Sequence, residues 1–325
     1  MEKVVIVDAD FELDLERDAF AGAGIEMVRP RAAERADLMA VAADASGLLV
    51  QFASVDAGLI ASIPTLKVIG RFGVGMDAID VAAATERGIA VVNSGDYSTQ
   101  EVAAHAVALA MALLRRVLPG DRAVRAGHWT GPGPHLGIRR LTTLRVGVVG
   151  LGRIGQRVAD HLAALGLQVT GYDPSSTVTR IPRASSLEEL LRNSDLVTLH
   201  VPLSTSTRNL LDERRLALIP KGGLVVNTAR GALIDEPALV KALSDGHLAG
   251  AALDVFVDEP LTADHPLCQL ANVVLTPHVG YFSAESLIEA RTRPVADVIA
   301  ILTGGAVLNL VNPEYTRHRV KDSSR

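Results

Sequence analysis

The sequence predicts an α/β protein built on two parallel sheets, and three observations predict it. Short apolar runs alternate with helix-compatible segments from the first residues onward, the pattern of repeated βαβ units. A Gly- and Pro-rich stretch over residues 127–137 divides that alternation into two series, as a connection between domains would. Apolar residues make up 48% of the 325-residue chain and aromatics only 3%, so the core is mainly Ala, Val and Leu. That suits strands covered by helices on both faces, and the length suits two domains.

The first series opens with an apolar strand at residues 4–7 and a helical stretch to about Ala23. Further strands follow at 47–50, 66–69 and 89–92. Residues 80–87 read as a helix, with Gly88 in the stop position. Ser98 and Glu101 have the form of a capping box ahead of a helix over about 99–116. That helix is apolar nearly all round, which predicts burial on most sides, in the core or at a subunit interface. The second series places strands at 145–150, 168–172, 196–200, 224–227, 249–253 and 273–275. A long helix over 285–301 follows, Gly304 and Gly305 stop it, and residues 307–311 read as a last short strand.

Gly150-Leu151-Gly152-Arg153-Ile154-Gly155 stands between an apolar strand and a helix-compatible segment, the context in which a Gly-x-Gly-x-x-Gly turn binds a dinucleotide. The first glycine permits the turn. The second admits a pyrophosphate to the backbone, and the third lets helix pack on strand. The helix N-terminus offers amides to the anion. Asp173 ends the next strand, 18 residues past Gly155 (173 − 155). A carboxylate there suits ribose hydroxyls and repels a 2′-phosphate, which points to NAD rather than NADP. Arg180 and Arg183 nearby speak for the opposite preference.

Three polar residues end or follow apolar strands of the second series: Arg230, Glu259 and His278. In an open α/β sheet that is where ligands bind. An Arg fork holds a carboxylate bidentately, a His exchanges a proton near neutral pH, and a carboxylate beside the imidazole fixes its tautomer. With a nicotinamide as the hydride carrier, the three suit reduction of a small 2-keto acid or oxidation of a 2-hydroxy acid, and no metal is needed.

From about Lys67 to Pro313 the chain resembles the D-isomer-specific 2-hydroxyacid dehydrogenases, which include the phosphoglycerate dehydrogenases. The matching runs are Gly70-Arg71-Phe72-Gly73-Val74-Gly75, the glycine turn, Leu199-His200-Val201-Pro202, Asn227-Thr228-Ala229-Arg230, Asp254-Val255-Phe256-Val257-Asp258-Glu259 and Thr276-Pro277-His278. The resemblance implies two doubly wound, Rossmann-like domains flanking a cleft, the first discontinuous. Residues 1–98 with 285–325 would bind substrate, and 99–284 would bind NAD. It implies Arg230, Glu259 and His278 as the catalytic trio. Gly150, Gly152, Arg153, Ile154, Gly155, Asp173, His200, Pro202, Thr228, Ala229, Arg230, Asp254, His278 and Gly280 would contact the cofactor. Arg71, Phe72, Gly73, Val74, Gly75, Arg230 and Tyr281 would contact substrate, the two glycines by turning backbone amides to its carboxylate. It also implies a homodimer built in part through the 99–116 helix.

Phe72 departs from the smaller residue frequent in phosphoglycerate dehydrogenases, which points away from phosphoglycerate, and the chain's end near 325 leaves no room for a C-terminal regulatory domain. The aromatic pair Tyr281-Phe282 is similar to the C-terminal-binding-protein branch. A second reading is therefore an NADH-sensing interaction protein, and a third is a dehydrogenase of phosphonate or phosphite. The net charge of −5 argues against a nucleic-acid partner. The longest apolar run, 102–114, is too short to span a bilayer. The start of the chain does not read as a signal peptide, and the lone Cys268 allows no internal disulfide, so a cytoplasmic location is expected.

Overall fold

The computed structural model describes residues 1–30, 35–129, 133–135, 137–178 and 180–319. Most of the connecting stretch 127–137 is described, but residues 130–132 and 136 fall outside. The chain divides into two compact units, Met1–Tyr97 with Ser283–Arg325, and Ser98–Phe282. The boundaries expected at 98 and 285 lie within two residues of these.

The first unit is a five-stranded parallel sheet. Its strands are β1 (Lys3–Ile6), β2 (Glu26–Val28), β3 (Gly47–Val50), β4 (Val68–Arg71) and β5 (Ala90–Val92), in the order β2-β1-β3-β4-β5. The four apolar runs became β1, β3, β4 and β5. The sequence reading missed β2, a three-residue edge strand whose Glu26 is exposed. Residues 307–311, expected as a strand, form a single antiparallel bridge, Val92 to Leu310. Asp297 accepts bonds from the Leu308 and Asn309 amides and so ties that stretch to its own helix, which competes with sheet pairing.

The second unit is a six-stranded parallel sheet. Its strands are β6 (Arg145–Val149), β7 (Gln168–Tyr172), β8 (Leu196–Leu199), β9 (Gly223–Asn227), β10 (Leu248–Leu253) and β11 (Val273–Leu275), in the order β11-β10-β9-β8-β6-β7. All six match the expected runs. Alternate residues feed two cores. Val149, Val197, Leu199 and Val225 face one, while Val146, Val148, Leu196 and Val226 face the other. Strand order reverses at β6, between β7 and β8. The carboxyl ends of β6 and β8 therefore flank a crevice of the kind that binds ligands in doubly wound sheets.

The helix Thr99–Leu114 packs Ala103, Ala106, Leu109, Ala110 and Leu114 into the second core. Gln100, Ala104 and Ala108 on its other side are exposed, so within one chain it is buried on one face rather than on most sides. It also ends two residues short of Arg116, which adopts a left-handed conformation and caps a new helix, Val117–Arg125. The expected capping box is not formed. Ser98 is buried, with φ −111 and ψ 15, outside the extended region from which a cap side chain reaches back. A capping box does open the helix Ala284–Thr303, between Ser283 and Ser286. Among the described residues no single helix is long and apolar enough to cross a membrane.

Candidate active site

Arg230, Glu259 and His278 follow β9, β10 and β11, three neighbouring strands whose carboxyl ends form one edge of the second sheet. Asn227, buried at the end of β9, fixes the first of these turns. Its side-chain amide donates to the Arg230 carbonyl at 2.8 Å, and its Oδ1 accepts the Ala229 amide at 3.0 Å. Arg230 donates from Nη1 to the Ala229 carbonyl at 2.7 Å. Glu259 bridges the next two turns. One carboxylate oxygen accepts the Phe256 amide at 2.9 Å, and the other lies 2.7 Å from His278 Nδ1. An Nδ1–H donor in that bond leaves Nε2 as the nitrogen that exchanges a proton with a ligand.

Burial works to raise the Glu259 carboxyl, but bonds from His278 and the Phe256 amide and the charges of His278 and Arg230 outweigh it, so Glu259 sits below its ordinary value of 4.5. A carboxyl lowered by folding contributes stability above its ordinary value, and that contribution fades as pH falls through the lowered one. Wild type and Glu259→Gln should therefore differ in Tm at pH 6–7 and converge progressively below about pH 4.5. Thermal melts across that range measure it. A Tm gap that stays constant down to acid pH would remove the ion pair from the account.

His278 has φ +52, the left-handed region that residues with side chains rarely adopt. Its amide donates to the Asp254 carbonyl at 2.8 Å. Left-handed non-glycine residues persist where surrounding structure holds them, often at functional sites. Tyr281 stands edge-on to the His278 ring, with centroids 6.4 Å apart, and Phe282 stands edge-on to Tyr281.

The glycine turn follows β6 and opens the helix Arg153–Ala164, with Gly152 as its cap. A Cβ on Gly155 would lie 2.0 Å from the Gly150 carbonyl oxygen, so only glycine lets this helix start so close to the strand. A Cβ on Gly152 would meet nothing within 4 Å, leaving open space over the helix N-terminus where a pyrophosphate would sit. Asp173 directly follows β7, and its carboxylate is already oriented. Oδ2 accepts the Leu151 amide at 2.9 Å, and Oδ1 accepts the amides of Ser175 and Ser176. A carboxylate oxygen can accept two bonds, so Oδ2 keeps capacity for a ribose hydroxyl. Arg180 is paired with Gln156 and Asp160, and Arg183 with the Ser176 and Asp173 carbonyls. Both arginines bond protein groups at the surface, Arg183 beside Asp173 itself.

His200 lies against the turn, with Nε2 2.8 Å from Thr198 Oγ1. The residue as a whole is only half-buried, yet burial pushes its imidazole down to about 3, so it is neutral. Thr228 Oγ1 is buried without a hydrogen-bond partner among the described residues, a donor and acceptor that a cofactor would satisfy. These features fit a dinucleotide. Pro202 is exposed, and its carbonyl accepts the Thr207 hydroxyl. Asp254 and Gly280, expected against the cofactor, are buried and bonded to each other, the Gly280 amide donating to Asp254 Oδ2 at 2.8 Å.

In the first unit, Arg71 ends β4. Two of the substrate-loop expectations need correction. Phe72 is turned into the core, 6% exposed and edge-on to Phe11, because an aromatic side chain at this position gains more from burial than from facing water. The Gly73 amide does not face outward but donates to the buried Ser94 hydroxyl at 2.8 Å. Val74 is exposed and Gly75 partly so. A separate cavity of about 690 Å³ lies at the amino ends of β8 to β11, lined by Leu113, Arg122, Asp195 and Gly223, and contains none of the expected site residues.

Sequence comparison matches residues 107–280 to the NAD-binding domain of the D-isomer specific 2-hydroxyacid dehydrogenases, more than half of the chain. The chain belongs to this family. NAD is the cofactor of that domain. The chain is 41% identical over 284 residues to the D-3-phosphoglycerate dehydrogenase of Mycobacterium tuberculosis (strain ATCC 25618 / H37Rv), covering 86% of this chain and 53% of that protein. It thus spans about half the length of the first curated relatives it matches. The glyoxylate reductase of Thermofilum pendens is 41% identical over 276 residues, 82% of this chain and 80% of that one. Among solved structures, D-lactate dehydrogenase from Aquifex aeolicus complexed with NAD and lactic acid superposes with a TM-score of 0.83 at 29% identity, covering 93% of this chain and 96% of that one.

Proposed function

We propose that the protein is an NAD-dependent dehydrogenase that interconverts a small 2-keto acid and its D-2-hydroxy acid. The observation that carries the reading is the 2.7 Å pairing of His278 Nδ1 with Glu259, beside Arg230, on the sheet that also holds the glycine turn. NADH, when bound, supplies the hydride. Arg230 holds the substrate carboxylate and polarises the neighbouring carbonyl. His278 Nε2 gives its proton to the carbonyl oxygen as negative charge develops there, and Glu259 stabilises the charged ring before the transfer and holds its orientation after it. In the oxidative direction the same nitrogen takes the hydroxyl proton.

Within the first unit, Arg71, Val74 and Gly75 are the residues proposed for an anionic group of the substrate, and in the second Tyr281 is proposed for its side chain. The working assembly in this reading is a cytoplasmic homodimer, which would cover the exposed side of the 99–114 helix.

The test is a panel of pyruvate, glyoxylate, hydroxypyruvate, phosphohydroxypyruvate and phosphonopyruvate, each with NADH and with NADPH. At least one acid should be reduced. The Asp173 geometry predicts NADH over NADPH in kcat/KM by roughly tenfold to a hundredfold, the worth of a hydrogen bond to a charged group. Equal values would end the Asp173 argument. No oxidation of NADH with any acid, alongside micromolar NADH binding, would replace this reading by that of an NADH-sensing interaction protein. Turnover confined to phosphonopyruvate would support a phosphonate-type substrate.

A further inference from the structure

His105 lies in the first half of the helix Thr99–Leu114, 171 residues along the chain from Thr276. Its side chain is 23% exposed. Nε2 stands 3.0 Å from Thr276 Oγ1 and 3.4 Å from Asp254 Oδ1. The Thr276 hydroxyl donates to that same Oδ1 at 2.5 Å. With its proton committed to the carboxylate, Thr276 Oγ1 is left to accept from an Nε2–H. Asp254 also accepts the Val279 amide at 3.0 Å and the Gly280 amide at 2.8 Å, and its backbone carbonyl accepts the His278 amide at 2.8 Å. Residues 276–280 therefore hang from one buried carboxylate, and His105 closes the network from the helix side.

Two further facts show how tightly the arrangement is set. A Cβ on Gly280 would lie 2.8 Å from Asp254 Oδ2 and 3.2 Å from His105 Cδ2, so the segment passes between these two groups only as glycine. His278 itself, in the middle of the segment, holds its left-handed φ of +52 under these restraints. Burial works to raise the Asp254 carboxyl, and the donors His105, Thr276, Gly280 and Val279 together hold it below its ordinary value. His105 thus also helps keep the carboxylate charged, and only the charged carboxylate accepts from all its donors at once.

We propose that His105 is a positioning residue for the reaction, acting through Thr276 and Asp254 to fix the conformation of residues 276–280 and so the aim of the His278 ring. The proposal rests on the reading of His278 as the acid/base. His105 acts through its neighbours and is not itself a catalytic group. A histidine that merely fills the core would matter for stability alone.

The experiment measures kcat, KM and NADH-binding stoichiometry for His105→Leu, His105→Gln, Thr276→Val and the double variant His105→Leu/Thr276→Val, with His278→Ala as reference. His105→Leu should lower kcat per NADH-binding site about tenfold or more while KM for the keto acid changes less than about threefold, since the lost interaction orients rather than binds. His105→Gln, whose amide nitrogen reaches the Nε2 position, should recover most of the loss. The double variant should be no worse than the worse single one, because both changes break one network. Should His105→Leu not fold, Thr276→Val, which removes the relay but keeps its shape, carries the same expectation. Wild-type kcat per site in the Leu variant, no recovery with Gln, or losses that multiply in the double variant would each overturn the proposal. If His278→Ala is inactive while His105→Leu is normal, only the positioning role fails. If His278→Ala keeps full activity, the reading of the whole site fails first.

Discussion

Replacing His278 by alanine is expected to lower kcat by on the order of 10²–10⁴, the usual worth of a positioned proton donor. NADH affinity, measured by fluorescence titration, should move less than about threefold, because the glycine turn and Asp173 that would hold the dinucleotide lie at the ends of β6 and β7 rather than β11. The comparison is clean for two structural reasons. Alanine, like histidine, carries a Cβ at φ +52, so the backbone gains no steric relief that could reshape the turn. The imidazole is 41% exposed, so its removal leaves no core cavity. Glu259→Gln should fall between wild type and His278→Ala. The 2.7 Å bond survives in form, but the carboxylate that stabilises the charged ring is gone. A kcat within threefold of wild type in His278→Ala would remove the histidine from the chemistry.

Five strands of the second sheet were legible because a parallel strand covered on both faces must be apolar almost throughout, as their runs are. The edge strand β7, with Gln168 exposed and Thr170 at its centre, was legible from its place after the glycine turn and helix. The site residues after β9, β10 and β11 could be read for a related reason: an arginine, a glutamate or a histidine that ends or follows such a run stands out against it. Where the signal was local but shared with other outcomes, the reading went astray. Ser98 and Glu101 carry the spacing of a capping box, yet the cap that forms uses Ser283 and Ser286, with serine in place of the usual Glu or Gln. β2 gave no signal, because three residues at a sheet edge with one side in water make no apolar run. Phe72 sits in a motif that resemblance assigns to substrate, and the core claimed it because Phe11 offered an aromatic partner at 5.2 Å, a contact no local pattern reveals. Asn227, Thr276 and His105 were overlooked as site residues. Asn227 had a findable signal, a buried polar residue ending an apolar strand three positions before Arg230. His105 had none, since its meaning depends on a partner 171 residues away.

Arg230 carries the other large expectation. Its backbone is extended, with φ −148 and ψ 137, and is held by both ends of the Asn227 side chain, so the guanidinium leaves β9 in a set direction. Truncating one partner of a desolvated charge pair costs about 2–5 kcal/mol. Arg230→Ala should therefore lower kcat/KM for the keto acid by roughly 10²–10³ or more. The loss should fall on kcat as well as KM, because the same fork that holds the carboxylate also meets the carbonyl oxygen as it gains charge. Arg230→Lys should recover only part of it, since an ammonium keeps the charge but not the planar pair of donors. A second readout is independent of turnover. The Arg230 charge is among the causes that hold the Glu259 carboxyl below its ordinary value, so its removal should let that carboxyl rise and move the acid limb of thermal stability to higher pH. Unchanged kcat/KM would leave the substrate carboxylate without its proposed clamp. Lost activity with an unmoved acid limb would separate Arg230 from Glu259 and place its contribution in substrate binding alone.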